Sequence, residues 1–282
     1  MILTLNQHKE RSEMAQQGFV YEENATKYLK QFGLSDGITA GASHTRPDLM
    51  LVARGKQAGC ELKISPTAGG SLVIKAYANS VPHWRFGEID HDETEKQFLV
   101  DLAKTSGTLD QINRKWATPI YNIEDRTPAW EKQMLKIPLR DRYSSDLKTC
   151  PDIKLELPSA SMTKYYNLKK TYYINVGTHG FYLLGNSDPL GLNERMRKAG
   201  KPLIPKFEDV CRITARVRCQ SKGVTKAEAQ EKSKGRIGGQ GYQFTFTIEF
   251  SVPKGSSPYN IAPISGSDVK IIENKSNFTC LL

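Results

Sequence analysis

Long apolar runs are missing from this sequence. None approaches the roughly 18 residues of a membrane-spanning helix, so no span is expected. Cysteine is sparse: the five, at positions 60, 150, 211, 219 and 280, are odd in number and form no CxxC pair. That argues against a disulfide framework and a cysteine-based zinc site, and it suits free thiols in a reducing, cytoplasmic setting. The five histidines, at 8, 44, 83, 91 and 179, show no HxxxH or HxH spacing, so zinc chemistry is not expected. Neither a GxSxG elbow nor a GxxxxGK(S/T) phosphate loop occurs, and Gly69-Gly70-Ser71 lacks the lysine such a loop needs. Serine-hydrolase chemistry and ATP use are therefore disfavoured. The opening stretch, MILTLNQHKERSEM, has neither the apolar centre nor the cleavage site of a secretory signal. No internal repeat or heptad run is visible.

Acidic residues are also in deficit, 30 against 40 Lys plus Arg, which gives a net charge of +10. With 282 residues and 38% hydrophobic content, the chain is long and apolar enough for a sizeable core in a soluble globular protein. A positive excess suits a polyanionic partner, most simply nucleic acid, but a merely basic protein has the same balance. Charge alone does not decide.

Helical spacing first appears at residues 17–32, where Gly18, Glu22, Ala25, Leu29 and Phe32 share a face and Gly33 ends the run. Glu22 is the odd member. A carboxylate on a core-facing stripe needs a partner or a metal, unless it sits at the stripe edge and reaches water. Residues 38–42 and 71–77 read as strands, 66–70 as a turn, 92–105 as a helix with Phe98, Leu99 and Leu102 as its apolar stripe, and 109–116 as a short helix. From 117 to 165, prolines 119, 128, 138, 151 and 158 interrupt the pattern, which predicts an irregular connection or peripheral subdomain with short helices near 128–136 and 141–148. Order returns with strands at 171–176 and 181–184 around Gly177-Thr178-His179-Gly180, then a short helix at 190–199 and a strand at 269–272.

Residues 211–219 and 243–250 alternate cleanly. Ile213, Ala215 and Val217 share one face with Phe244, Phe246, Ile248 and Phe250 as their counterparts, while Arg212, Arg216 and Arg218 face the other way. These strands are expected to pair through the loop at 220–241, which is too polar and glycine-rich to pack well. A basic loop hung from an arginine-faced strand makes a phosphate-binding arm of Arg212, Arg216, Arg218, Lys222, Lys232, Lys234 and Arg236. A solvated hairpin tip has the same composition.

The most informative stretch is RPDLMLVARGKQAGCELKIS, residues 46–65. Two apolar runs, 49–53 and 60–64, flank a polar, glycine-containing turn at 54–59 and predict a hairpin. The first run lacks polar alternation, so it should be covered on both faces, whereas the second alternates Cys60, Leu62 and Ile64 against Glu61 and Lys63. Asp48 heads the first strand. The hairpin therefore brings Asp48, Glu61 and Lys63 together at the edge of an apolar sheet. Two carboxylates can hold Mg²⁺, which polarises a phosphodiester and acidifies the attacking water, while Lys63 stabilises the developing charge. A structural Glu61–Lys63 ion pair on an exposed face fits the same residues.

Pro47-Asp48, twelve intervening residues and Glu61-Leu62-Lys63 together resemble the PD-(D/E)xK nuclease superfamily, and the upstream helix with Glu22 resembles that family's first helix. The resemblance covers residues 17–77. It implies an α/β, restriction-endonuclease-like core with a central mixed β-sheet flanked by helices, here with an added basic β-hairpin. It further implies Asp48, Glu61 and the Leu62 carbonyl as ligands of Mg²⁺ (or Mn²⁺), Lys63 as the catalytic lysine and Glu22 as an accessory ligand. The whole chain, 1–282, would form a single nuclease domain. Residues 17–110 would supply half of the core, and 166–282 the remaining strands and the DNA-binding hairpin. The expected activity is metal-dependent cleavage of DNA by a type II restriction-like enzyme, a homodimer because two strands need two sites. A structure-specific or phage recombination or packaging nuclease, or a non-catalytic basic nucleic-acid-binding protein, are the alternatives.

Overall fold

The structure, a computed structural model, describes residues 2–39, 46–66, 68–77, 83–86, 94–121, 151–221, 242–261, 264–265, 270–271 and 278. In chain order its elements begin with α1 (Ile2–Gln31), β1 (Ser35–Thr39), β2 (Leu49–Ala53), β3 (Lys56–Lys63), β4 (Ala68–Tyr77), β5 (His83–Phe86), α2 (Thr94–Thr105) and α3 (Thr108–Tyr121). They continue with β6 (Ile153–Leu157), α4 (Ala160–Leu168), β7 (Thr171–Val176), β8 (Gly180–Leu183), α5 (Leu192–Lys198) and α6 (Phe207–Val210). The last are β9 (Arg212–Ser221), β10 (Tyr242–Ser251), β11 (Ile264–Ser265) and β12 (Lys270–Ile271). The protein is α/β. It divides into one unit made of Met1–Thr67, Pro158–Ile213 and Phe250–Leu282, and a second made of Ala68–Leu157 and Thr214–Glu249.

The first unit holds a mixed five-stranded sheet in the order β1-β2-β3-β7-β8, flanked by helices. Along α1, Tyr21, Ala25, Tyr28 and Leu29 form the buried stripe at i, i+4, i+7 and i+8. Phe32, expected on that stripe, is 52% exposed because the helix closes first. Gly33 N donates to Lys30 O and Leu34 N to Leu29 O, with Gly33 at φ 70, the double bond of a Schellman end. The helix also begins well before residue 17, and β1 lies a few residues upstream of the expected 38–42.

The hairpin is tighter than its sequence suggested. Arg54 and Gly55 both have positive φ (50 and 74), and Ala53 pairs with Lys56, so two residues rather than six make the turn. Burial is also reversed between its strands. In β2 only alternate residues, Leu49, Leu51 and Ala53, are buried, whereas in β3 every residue from Ala58 to Leu62 is. The cause is topology: β7 pairs parallel along the free side of β3. This makes β3 the middle strand, and its charged end lies inside the sheet rather than at its edge. On the face toward α1, Leu49, Leu51, Cys60, Leu62, Tyr173 and Phe181 join Tyr21 and Leu29 in one core. Each such side chain stabilises by about 1.5–3 kcal/mol relative to exposure. The cross-strand register sets Glu61, Ile174 and Tyr182 in one row across β3, β7 and β8. Tyr182 continues edge-to-face onto Phe207, and Phe207 onto Phe250.

The second unit holds a sheet ordered β5-β4-β10-β9-β6, with α2 against β4 and α3 against β5. Ala215 and Val217 of β9 and Phe244, Phe246 and Ile248 of β10 are buried as their alternation predicts, and so are Ile213 and Phe250, which belong to the first unit. The two strands are neighbours, but each has a further partner, so they belong to a sheet rather than to an appended hairpin. Within the segment expected to be irregular, residues 122–150 (and the short helices assigned there) lie outside the described residues, as does the loop at 222–241. The part that is described is regular. Pro151 and Pro158 stand just before β6 and α4, where a missing N–H costs little, instead of breaking them. Among the described residues no helix is long and apolar enough to cross a membrane.

Candidate active site

Asp48 sits one residue outside the β2–β3 ladder, whose last pair is Leu49 with Cys60. Its side chain takes over where the backbone acceptor ends: Leu62 N donates to Asp48 Oδ2 at 2.9 Å. In an extended strand the N–H and C=O of one residue leave along the same edge, so the Leu62 carbonyl also faces the Asp48 side. Glu61 and Lys63 alternate away from Cys60 and Leu62. Lys63 Nζ lies 2.5 Å from Glu61 Oε1 and 3.9 Å from Asp48 Oδ2, an ammonium between two carboxylates. Gly59 permits this crowding. A Cβ there would strike the ring of Pro47 and come within 2.5 Å of the Lys170 carbonyl oxygen, so the glycine lets both adjoining segments close on β3.

The second of those segments carries residues the sequence reading missed. Lys169 Nζ lies 3.8 Å from Glu61 Oε2, and it sits 5.9 and 5.7 Å from the ring centroids of Tyr165 and Tyr166. It directly follows α4, and Lys170 after it has a left-handed φ of 55. A signal was present: Met162, Tyr165, Tyr166 and Lys169 recur at helical spacing after Pro158-Ser159. The surrounding prolines hid it. Tyr166 helps hold Glu61 ionised, yet no well-formed hydrogen bond reaches Glu61 Oε2.

Burial and charge act differently on each group. Burial, then the charge of Glu61, drives the Asp48 carboxyl up to about 7, against the opposing pull of Lys63 and the Leu62 N–H. Burial is also the largest influence on Glu61 and opposes its charge, but Lys63 and Lys169 outweigh it and hold Glu61 below its usual range. For Lys63, burial favours the neutral amine, while Glu61, Tyr166 and Asp48 overcome that and keep it protonated. Burial lifts the Glu22 carboxyl, with Lys63 lowering it and Glu61 raising it, which puts Glu22 within electrostatic reach of the cluster. The structure thus brings Glu22, Asp48, Glu61 and Lys63 into one electrostatic neighbourhood.

The arginine face of β9 is differently placed. Arg216 pairs with Glu249 at 2.7 Å, and Arg218 makes a forked contact with Asp152, its closest approach also 2.7 Å. Arg212 is exposed. Lys222, Lys232, Lys234 and Arg236 lie outside the described residues, as does His44.

Asp48, Glu61 and the Leu62 carbonyl are oxygen donors, the kind a hard divalent cation takes. Two carboxylates, one pushed up to about 7 partly by the other, share a single ammonium, and a strand carbonyl faces the same side. Among the described residues no three or more His, Cys, Asp or Glu side chains are grouped so as to hold a metal ion. No family model, no curated protein and no solved structure matches this chain.

Proposed function

We propose that the chain is a Mg²⁺-dependent endonuclease of the PD-(D/E)xK type, hydrolysing phosphodiester bonds of DNA on a restriction-endonuclease-like core. The observation that carries this reading is the Lys63 ammonium set between Asp48 and Glu61 where Asp48 is fastened to the end of β3. Asp48, Glu61 and the Leu62 carbonyl would hold the cation, which when bound polarises the phosphate and acidifies a water. Lys63 keeps its proton at Nζ and supplies a donor for the charge that develops on phosphorus. The fixed Asp48–Leu62 hydrogen bond orients one carboxylate in advance, and Glu22 adds a third to the neighbourhood for a metal-bound or attacking water. Cutting duplex DNA at a recognised sequence would call for a homodimer in the cytoplasm, since two strands need two such sites.

The experiment is digestion of a long linear DNA with Mg²⁺ by wild type, Asp48→Asn and Lys63→Met, each checked for folding. Wild type should cut, and each variant should lose about 10³-fold in rate, the scale expected when a charge-stabilising group is removed. Discrete fragments would indicate sequence readout, whereas a smear or junction-only cleavage would point to a structure-specific or recombination nuclease. If all three proteins behave alike, the catalytic reading is wrong and a binding role for a basic protein stands in its place.

A further inference from the structure

We infer that Lys169 is a positioning residue for the proposed metal site, a fixed counter-charge on Glu61 Oε2 that frees Lys63 to turn from Glu61 toward the substrate phosphate. This rests on the nuclease reading above and on the surroundings of the two lysines. Glu61 is 2% exposed, so it has little water to screen its charge if an ion-pair partner leaves. Lys63 contacts both carboxylates and is the more exposed of the two lysines, with 20% of its side chain reaching solvent against 8% for Lys169. It cannot both neutralise Glu61 and follow a phosphate oxygen. Lys169 is held where it is from several sides. Its ammonium lies over Tyr165 and Tyr166, its backbone N–H closes α4 onto Tyr166 O, and the next residue's carbonyl lies where a Cβ on Gly59 would meet it. It faces Oε2 while Lys63, which also lies 3.9 Å from Asp48 Oδ2, takes Oε1, so the two lysines engage opposite oxygens of one carboxylate. Fixing the orientation of a ligand carboxylate from behind is how an outer partner tunes a metal site.

The test is Mn²⁺ binding to full-length wild type, Lys169→Met and Lys169→Arg, read from the electron paramagnetic resonance signal of the free ion, with steady-state DNA cleavage alongside. Removing a neighbouring positive charge would by simple electrostatics tighten cation binding. Losing the orientation of Glu61 weakens it instead, so the sign separates the two roles. Lys169→Met should weaken Mn²⁺ binding by roughly 10–100-fold and lower kcat more than it raises KM, and Lys169→Arg should recover most of both. A Lys169→Met protein that binds Mn²⁺ as tightly as wild type, or more tightly, overturns the inference and leaves the nuclease reading intact. Wild type that binds no Mn²⁺ overturns both. If Lys169→Met does not fold, Lys169→Gln takes its place in the same Mn²⁺ titration, and the same two outcomes support or overturn the inference.

Discussion

Ion pairs occur on strands in both units of this protein, and their surroundings differ. At the end of β3, Glu61 meets Lys63 and Lys169 with side chains 3, 20 and 8% exposed. On β9, Arg216 meets Glu249 and Arg218 meets Asp152, and all four of those side chains are about a quarter to a third exposed. Pairs of the second kind gain little, about 0–1 kcal/mol each, because water and salt screen them. Pairs of the first kind carry a desolvation cost that apolar residues of similar size would avoid, so their presence is weak support for stability as a cause. One unit therefore carries, at the middle of its sheet, a charged cluster whose burial works against stability, as the proposed metal site would require. The other arranges its charges cheaply, and two of the arginines expected to grip phosphate already have carboxylate partners.

The largest effect should come from unbalancing the buried trio. Glu61→Gln keeps shape but leaves Lys63 and Lys169 facing a neutral amide, with Asp48 beside Lys63 and Glu22 within electrostatic reach as the remaining carboxylates. Chemical denaturation at pH 7 should show a loss of about 3–5 kcal/mol, the range for breaking a buried pair. A loss under 1 kcal/mol would place the trio with the surface pairs and remove the contrast.

Asp48 should give a smaller, pH-dependent effect of the opposite sign. Its carboxyl moves from an ordinary value of 3.8 to about 7 in the folded chain. Between those values the folded protein holds a proton that the unfolded chain has lost, so Asp48 makes stability fall as pH rises from about 4 toward about 7. Asp48→Asn keeps an acceptor for Leu62 N and removes the titration. It should stabilise measurably at pH 7.5 and hardly at all at pH 4. Glu61 runs the other way: held below its usual range, it contributes stability above that range and loses it as pH falls through the lowered value. Melting curves of wild type and Asp48→Asn across pH 4–8 that stay parallel would contradict this assignment.

How much of this was legible in the sequence depends on the range of the interaction. Local patterns succeeded: Leu49–Ala53, Thr171–Val176 and the alternation around Ile213 and Phe246 name their own strands, because side-chain period is a property of consecutive residues. The approach of Asp48, Glu61 and Lys63 to one another was also legible, since one short hairpin brings them together. What was missed depends on distant partners. β3 is buried on both faces only because β7, far along the chain, pairs beside it, and nothing in residues 56–63 announces that. Lys169 reaches Glu61 through the same long-range pairing, so its role stays invisible until Tyr173 is known to lie opposite Cys60. Phe32 failed for a local reason: the glycine expected to end the helix does so early enough to turn that ring into solvent.

The smallest effect belongs to the forked Arg218–Asp152 pair. Arg218→Ala should cost about 0.5–1 kcal/mol in low salt, less in 0.5 M NaCl, since both side chains are exposed enough for ions to screen them. The same pair also tests what β9 is for. If Arg218 serves phosphate, Asp152 competes with DNA for it, and Asp152→Ala should tighten DNA binding and steepen its dependence on salt by about one counterion. If Arg218 serves only the sheet, Asp152→Ala should lower stability by the same small amount as Arg218→Ala and leave the salt slope alone. The two variants together thus separate a guanidinium held in reserve for a polyanion from one that merely ties β9 to the residues before β6, a distinction that stability measurements on Arg218 alone would not make.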